Sequence, residues 1–291
     1  MFCKNCGKEI TDNIKFCTQC GKDTSTNKLP KKINIFTKKQ VLWWLGGLVV
    51  ISLIALIIFI SATSSPNYAK TKDADIASAV VNIYCTGKTE KESSGGSGTI
   101  LTEDGLVLTN AHIIPEGAED SVSCIVILPD PSTGSPKEMY YAYPIIFPEI
   151  SEKYDLAFVQ IDDVFVDEEG VAYGDYPKAF PAYDDSKYCK NENVILGESV
   201  RIYGYPAISG GYALTITDGV VSSLLLDEGL IVTSAKISYG NSGGLAVDQH
   251  GCQIGIPAMV TGDENESLGI IISNDLILEF IDEVRIVFEN N

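Results

Sequence analysis

Residues 95–112 read GGSGTILTEDGLVLTNAH. Two short apolar runs flank a polar break at Glu103, Asp104 and Gly105, and the second run ends on a histidine. The same rhythm continues in both directions. IASAVVNIYC precedes it, and SVSCIVILP, DLAFVQI, GESVRIYGYP, ALTITDGVVSSL, GLIVTSAKI, GGLAV, CQIGIPAMV and SLGIIIS follow. Gly, Pro, Asn and Asp separate these runs, as they do where a chain reverses between strands. Eleven strand-like segments between residues 74 and 291 predict a mainly β domain, an antiparallel barrel or sandwich. Only two helices are expected there. One is a short turn at residues 111–114. The other spans residues 274–288, where Leu276, Ile277, Phe280, Ile281 and Val284 follow helical spacing.

Upstream of this domain the composition changes. The chain has 291 residues and a net charge of −18, unevenly spread. Residues 1–60 hold nine Lys against three acidic residues, whereas the remainder is strongly acidic. Phosphates would be repelled by such a surface, so nucleic acid is excluded as a partner of the C-terminal part. Residues 41–60, VLWWLGGLVVISLIALIIFI, carry no charge. As a helix they would rise about 30 Å, the thickness of a bilayer's hydrocarbon core. Trp43 and Trp44 stand near one end, where indole rings favour the interface. Lys28, Lys31, Lys32, Lys38 and Lys39 all precede the span, in a basic juxtamembrane segment at residues 26–40. The positive-inside rule then predicts a single-pass protein of the cell membrane, with its N-terminus cytoplasmic and residues 61–291 extracytoplasmic. Residues 61–73 read as an exposed tether between membrane and domain.

Within residues 1–25, Cys3-x-x-Cys6 and Cys17-x-x-Cys20 each run into Gly-Lys. Two such knuckles bring four thiolates into the tetrahedron that Zn²⁺ prefers. So short a segment buries too little apolar surface to fold alone, and a structural zinc would supply the folding energy. Two disulfides are the alternative, disfavoured in a reducing cytoplasm. All four ligands are Cys, so no position remains for a catalytic water. The segment resembles the zinc-ribbon modules that open many prokaryotic membrane proteins; its partner is not legible.

Three residues of the large domain form a chemical set. His112 closes Thr109-Asn110-Ala111-His112, Asp155 stands before the apolar run LAFV, and Ser242 lies in Gly240-Asn241-Ser242-Gly243-Gly244. A serine hydroxyl is a poor nucleophile until a base takes its proton. A neutral imidazole does this near physiological pH, and a buried carboxylate fixes its tautomer. Gly240 and Ser242 N–H groups are the expected oxyanion donors. An α/β-hydrolase elbow needs the order Ser, acid, His, and here the order is reversed.

With these motifs in their order, the domain resembles the trypsin-like (chymotrypsin-fold) serine peptidases. It is nearest the HtrA/Deg branch, here without a PDZ-like region. The resemblance covers Gly95-Gly96-Ser97-Gly98-Thr99 through His112, Asp155-Leu156-Ala157, and residues 240–244. It implies two packed six-stranded antiparallel β-barrels with the site between them. It implies a serine endopeptidase that works through an acyl-enzyme on a peptide or unfolded protein, with no catalytic cofactor. The alternative is an inactive peptide-binding relative coupled to the zinc ribbon. Asn241 stands where zymogen-activated relatives carry Asp, Tyr239 is bulky beside the oxyanion glycine, and Pro257 interrupts the segment that pairs with substrate. Lys236 lies near the base of the family's specificity pocket and is expected to face solvent. Cys85, Cys124, Cys189 and Cys252 permit three disulfide pairings, of which Cys85–Cys124 and Cys189–Cys252 keep each bridge within one barrel. His250 is expected on an exposed turn.

Overall fold

A computed structural model of the chain describes residues 2–3, 5–11, 16–22, 66–87, 92–115, 123–261 and 268–290. It separates into two compact units, residues 1–64 and 65–291. The span expected at residues 41–60 lies outside the described residues, as does the basic segment before it. Among the described residues no helix is long and apolar enough to cross a membrane.

The large unit is built on twelve strands. β1 (Val80–Thr86), β2 (Ser94–Ile100), β3 (Leu106–Thr109), β4 (Ser123–Pro129), β5 (Pro136–Ile145) and β6 (Ala157–Val164) close a first barrel in the order β1-β2-β3-β6-β5-β4. β7 (Ser199–Gly204), β8 (Thr215–Leu225), β9 (Leu230–Thr233), β10 (Leu245–Asp248), β11 (Gln253–Thr261) and β12 (Leu268–Ser273) close a second, in the order β10-β11-β12-β9-β8-β7. Every pairing is antiparallel. Closure removes the free edges that would otherwise recruit other strands. Each barrel buries its own aliphatic core, Val81, Ile83, Val107, Val126 and Val159 in the first, and Val200, Ile202, Val221, Ile231 and Ile271 in the second. Each such side chain contributes about 1.5–3 kcal/mol by leaving water.

Eleven of these strands coincide with the apolar runs of the sequence; β5 is the exception. Its residues PKEMYYAYPI carry Lys137 and Glu138, and Tyr141 and Tyr143 face outward. It is nonetheless held on both sides, by β4 and β6.

Three α-helices are described, and two of them were not expected. α1 (Pro66–Ala79) begins inside the stretch read as a tether, which is therefore helical from Pro66. Its C-terminal turn carries the apolar contacts: Ile76 and Ala79 are buried beside Tyr203 and Tyr205, and Asp73 accepts from Arg201 at 2.7 Å. α2 (Pro148–Tyr154) opens on a proline, which suits a first helical turn because its missing N–H is not needed there. α3 (Asn274–Asn290) buries Ile277, Phe280 and Val284, the face its spacing predicts. Phe280 packs against Phe158 of the first barrel, while Ile256 and Ile272 of the second join the same cluster. The last helix thereby fastens the two barrels together.

Candidate active site

The first barrel supplies a histidine–aspartate pair. After β3 the chain makes a 3-10 turn, Ala111–Ile113, that carries His112. Asp155 follows α2 as its C-cap, in the left-handed region at φ 52° and ψ 40°. Asp is among the few non-glycine residues that tolerate this region. The two residues meet: His112 Nδ1 lies 2.8 Å from Asp155 Oδ2 and 3.0 Å from Oδ1. The backbone N–H of His112 also donates to Asp155 Oδ1 at 3.1 Å. A carboxylate only accepts, so Nδ1–H donates to it, and in the neutral imidazole Nε2 then carries the lone pair. Asp155 is not buried as expected. The side chains of His112 and Asp155 are 46% and 34% exposed.

Asn110 holds this arrangement from below. It is fully buried, and its Nδ2 donates to Asp155 O at 2.8 Å and to Oδ2 at 3.3 Å. Ala111 N donates to the same carbonyl at 3.1 Å. In the sequence Asn110 stands out only as part of the Thr109–His112 motif. Its place directly between a strand and the histidine was the available signal.

The second barrel supplies the serine. Ser242 lies in the turn before β10, and β2 of the first barrel fixes that turn. Ser97 N donates to Ser242 O at 2.8 Å, Ser97 Oγ donates to Gly240 O at 2.6 Å, and Ser97 Oγ accepts from Tyr205 N at 2.9 Å. Thr109 Oγ1 donates to Ser97 O at 2.7 Å and Thr99 Oγ1 to Gly244 O at 3.3 Å. This seam brings Ser242 beside the histidine turn. A Cβ at Gly96 would collide with Ile113, the neighbour of His112, and would lie 3.2 Å from Ser242 O. Only glycine lets the three segments converge. Gly240 is required for a second reason: its φ is 97°, and a Cβ there would strike Tyr205 O. Neither Gly240 N nor Ser242 N donates to another group among the described residues, so both are available to a ligand.

The hydroxyl itself does not face the imidazole. Ser242 Oγ donates to Ala258 O at 2.8 Å and makes no hydrogen bond with His112. Pro257 O accepts from Gly243 N at 3.0 Å, and β11 shifts register between Pro257 and Met259. Tyr239 is 92% exposed, and Lys236 points to solvent while Ile237 is buried against Gly269.

Residues 96–256, more than half of the chain, match the family described as trypsin-like peptidase domain. The chain belongs to the trypsin-like peptidases. Among the relatives of this trypsin-like chain is Serine protease HTRA1 of Xenopus tropicalis, 30% identical over 75% of this chain and 44% of that protein. Another is a probable periplasmic serine endoprotease DegP-like of Brucella suis, 30% identical over 62% of this chain and 30% of its own length. Protease Do-like 2 of Arabidopsis thaliana is 26% identical over 73% of the chain and 33% of its own length. This trypsin-like chain thus spans less than half the length of these curated relatives. The serine endoprotease from Yersinia pestis has the same fold, with a TM-score of 0.55, 24% identity, and coverage of 74% of this chain and 65% of its own.

Of the three pairings open to these cysteines, the structure forms the one that keeps each bridge within a single barrel. Cys85–Cys124 joins directly opposed residues of β1 and β4, and Cys189–Cys252 ties the segment before β7 to the start of β11.

The small unit matches a zinc-ribbon domain over residues 2–23. Its four sulfurs lie within 4.8 Å of one another, and Cys3–Cys20 and Cys6–Cys17 are each 3.7 Å apart. A zinc tetrahedron with bonds of about 2.3 Å has sulfur–sulfur edges of about 3.8 Å, so the donors fit zinc. The backbone N–H groups of Gln19 and Cys20 bring the Cys17 thiol down to about 6. Cys6 is pushed up to about 12: the Lys8 N–H favours its thiolate, but the three neighbouring sulfurs oppose it. A cation at the centre resolves that conflict, because it permits all four thiolates. Cys3, Cys6, Cys17 and Cys20 would hold the ion, whose contribution is structural.

Proposed function

We infer that the chain is a membrane-anchored serine endopeptidase, with His112, Asp155 and Ser242 as its triad. The observation that carries this reading is the His112–Asp155 contact of 2.8 Å, beside a serine turn in which Gly240 N and Ser242 N make no hydrogen bond among the described residues. With Nδ1–H donating to Asp155, Nε2 accepts the Ser242 proton as Oγ attacks the substrate carbonyl. Attack requires the hydroxyl to leave Ala258 O and turn to Nε2. The oxyanion is met by Gly240 N–H and Ser242 N–H, a donor pair of which each is worth about 10²–10³ in kcat. His112 then protonates the leaving amine, and water, activated by the same nitrogen, releases the acyl group. Substrates are peptides or unfolded proteins lying extended across the cleft. The uncharged residues 41–60 and the lysines before them support a single-pass anchor with the peptidase outside the cytoplasm. Two disulfides in the large unit accord with an oxidising compartment.

A second reading, a non-cleaving peptide-binding domain coupled to the zinc ribbon, is favoured by the Ser242–Ala258 bond, which leaves the nucleophile unactivated. A peptide-library digest separates the two. Wild type is expected to cleave and Ser242→Ala to leave the library intact. An intact library with folded wild type would sink the endopeptidase reading.

A further inference from the structure

β10 begins just after Ser242 and ends at Asp248, where the chain turns through His250 into Cys252. Asp248 pairs across the ladder with Val200, which brings Glu198 alongside. One ligand atom each of Glu198, Asp248 and His250 falls within 4.8 Å of the others. Asp248 is only 7% exposed. Its Oδ1 accepts from His250 N at 2.7 Å and Cys252 N at 2.8 Å. Its Oδ2 has only Cys189 Sγ near it, at 3.9 Å, and that sulfur is bonded to Cys252 and has no hydrogen to donate. One oxygen of a buried carboxylate therefore lacks a donor, and its residue belongs to a group that holds a second carboxylate. Glu198 receives one bond, from Ile195 N at 3.3 Å, and among the described residues neither acid is paired with Lys or Arg.

A buried acceptor without a donor is normally met by something outside the chain. Two carboxylates and an imidazole, all able to converge, make that something a cation. The carboxylates alone suit Ca²⁺ or Mg²⁺, whereas the imidazole shifts preference to Mn²⁺ or Zn²⁺. The geometry points to a divalent transition-metal site formed by Glu198, Asp248 and His250. It is separate from both the cysteine tetrahedron and the triad. Bound there, the ion ties the 248–251 turn to the entry of β7, at the end of β10 remote from Ser242. The site stands whether or not the chain cleaves peptides.

The test is Mn²⁺ titration of the full-length, disulfide-bonded protein, followed by loss of the free-ion paramagnetic resonance signal. The soft Cys₄ site does not compete for this hard ion. One Mn²⁺ per chain is expected, with Kd weakened at least tenfold in both Glu198→Gln and His250→Ala. Both residues have accessible side chains, and circular dichroism verifies that the variants fold. No uptake at millimolar Mn²⁺, or uptake unchanged in both variants, overturns the proposal. Uptake that appears only after Cys189–Cys252 is reduced also overturns it, because thiolates would then be the ligands.

Discussion

The two barrels share a strand count and a closed antiparallel topology, yet they bring different things to the cleft. The first delivers a histidine–aspartate pair already in contact, with Asn110 and Ala111 gripping Asp155 from the backbone side. The second delivers a serine turn whose backbone is fixed through Ser97 but whose hydroxyl is turned to Ala258 O. In a trypsin-like peptidase the slow adjustment is thus expected in the second half, and the first acts as the rigid reference.

Breaking the first barrel's contribution gives the largest effect. Asp155→Asn is expected to lower kcat by about 10⁴, because the amide favours the wrong imidazole tautomer. Asn also tolerates the left-handed backbone there, so the thermal midpoint should move little. A wild-type kcat in this variant would show that the His112–Asp155 contact is incidental.

The bridges sharpen the same contrast. Chain entropy alone assigns each about 4 kcal/mol, since the loops they close differ little on a logarithmic scale. Cys85 and Cys124 are fully buried, whereas Cys189 and Cys252 are only partly so. Denaturant unfolding of Cys85→Ser/Cys124→Ser should therefore show the greater loss, with two hydroxyls left in an apolar core. Equal losses from the two double variants would remove the claim that the first barrel is the stiffer half.

Much of this arrangement was legible from residue order. β2, β3 and the histidine turn follow from GGSGTILTEDGLVLTNAH, and the face of α3 follows from its spacing. β5 was obscured because its outward tyrosines and its Lys137 and Glu138 hide an alternation whose buried members are Tyr140 and Ala142. α1 was read as a tether because a polar stretch, SATSSPNYAKTK, precedes its apolar C-terminal turn. Asp155 was expected to be buried and is one-third exposed, since it caps a helix at the surface instead of lying under one. The direction of the Ser242 hydroxyl is a single torsion, set by the nearby Ala258 carbonyl. No pattern of residue types encodes it.

The smallest effect concerns Asn110. Asn110→Ala removes the hydrogen bonds to Asp155 O and Oδ2 while Ala111 N still donates to that carbonyl, at a cost of about 0.5–1.5 kcal/mol. Steady-state kinetics should show kcat falling while KM is nearly unchanged, because Asn110 does not touch the substrate. A rise in KM with constant kcat would instead place it in the binding surface.

The most direct measurement is covalent labelling of the full-length protein by a fluorophosphonate, read by intact mass. One adduct per chain is expected for wild type, slow labelling for Asp155→Asn and none for Ser242→Ala. A folded wild type that stays unmodified, or an adduct that persists in Ser242→Ala, would contradict the assignment of Ser242 as the nucleophile.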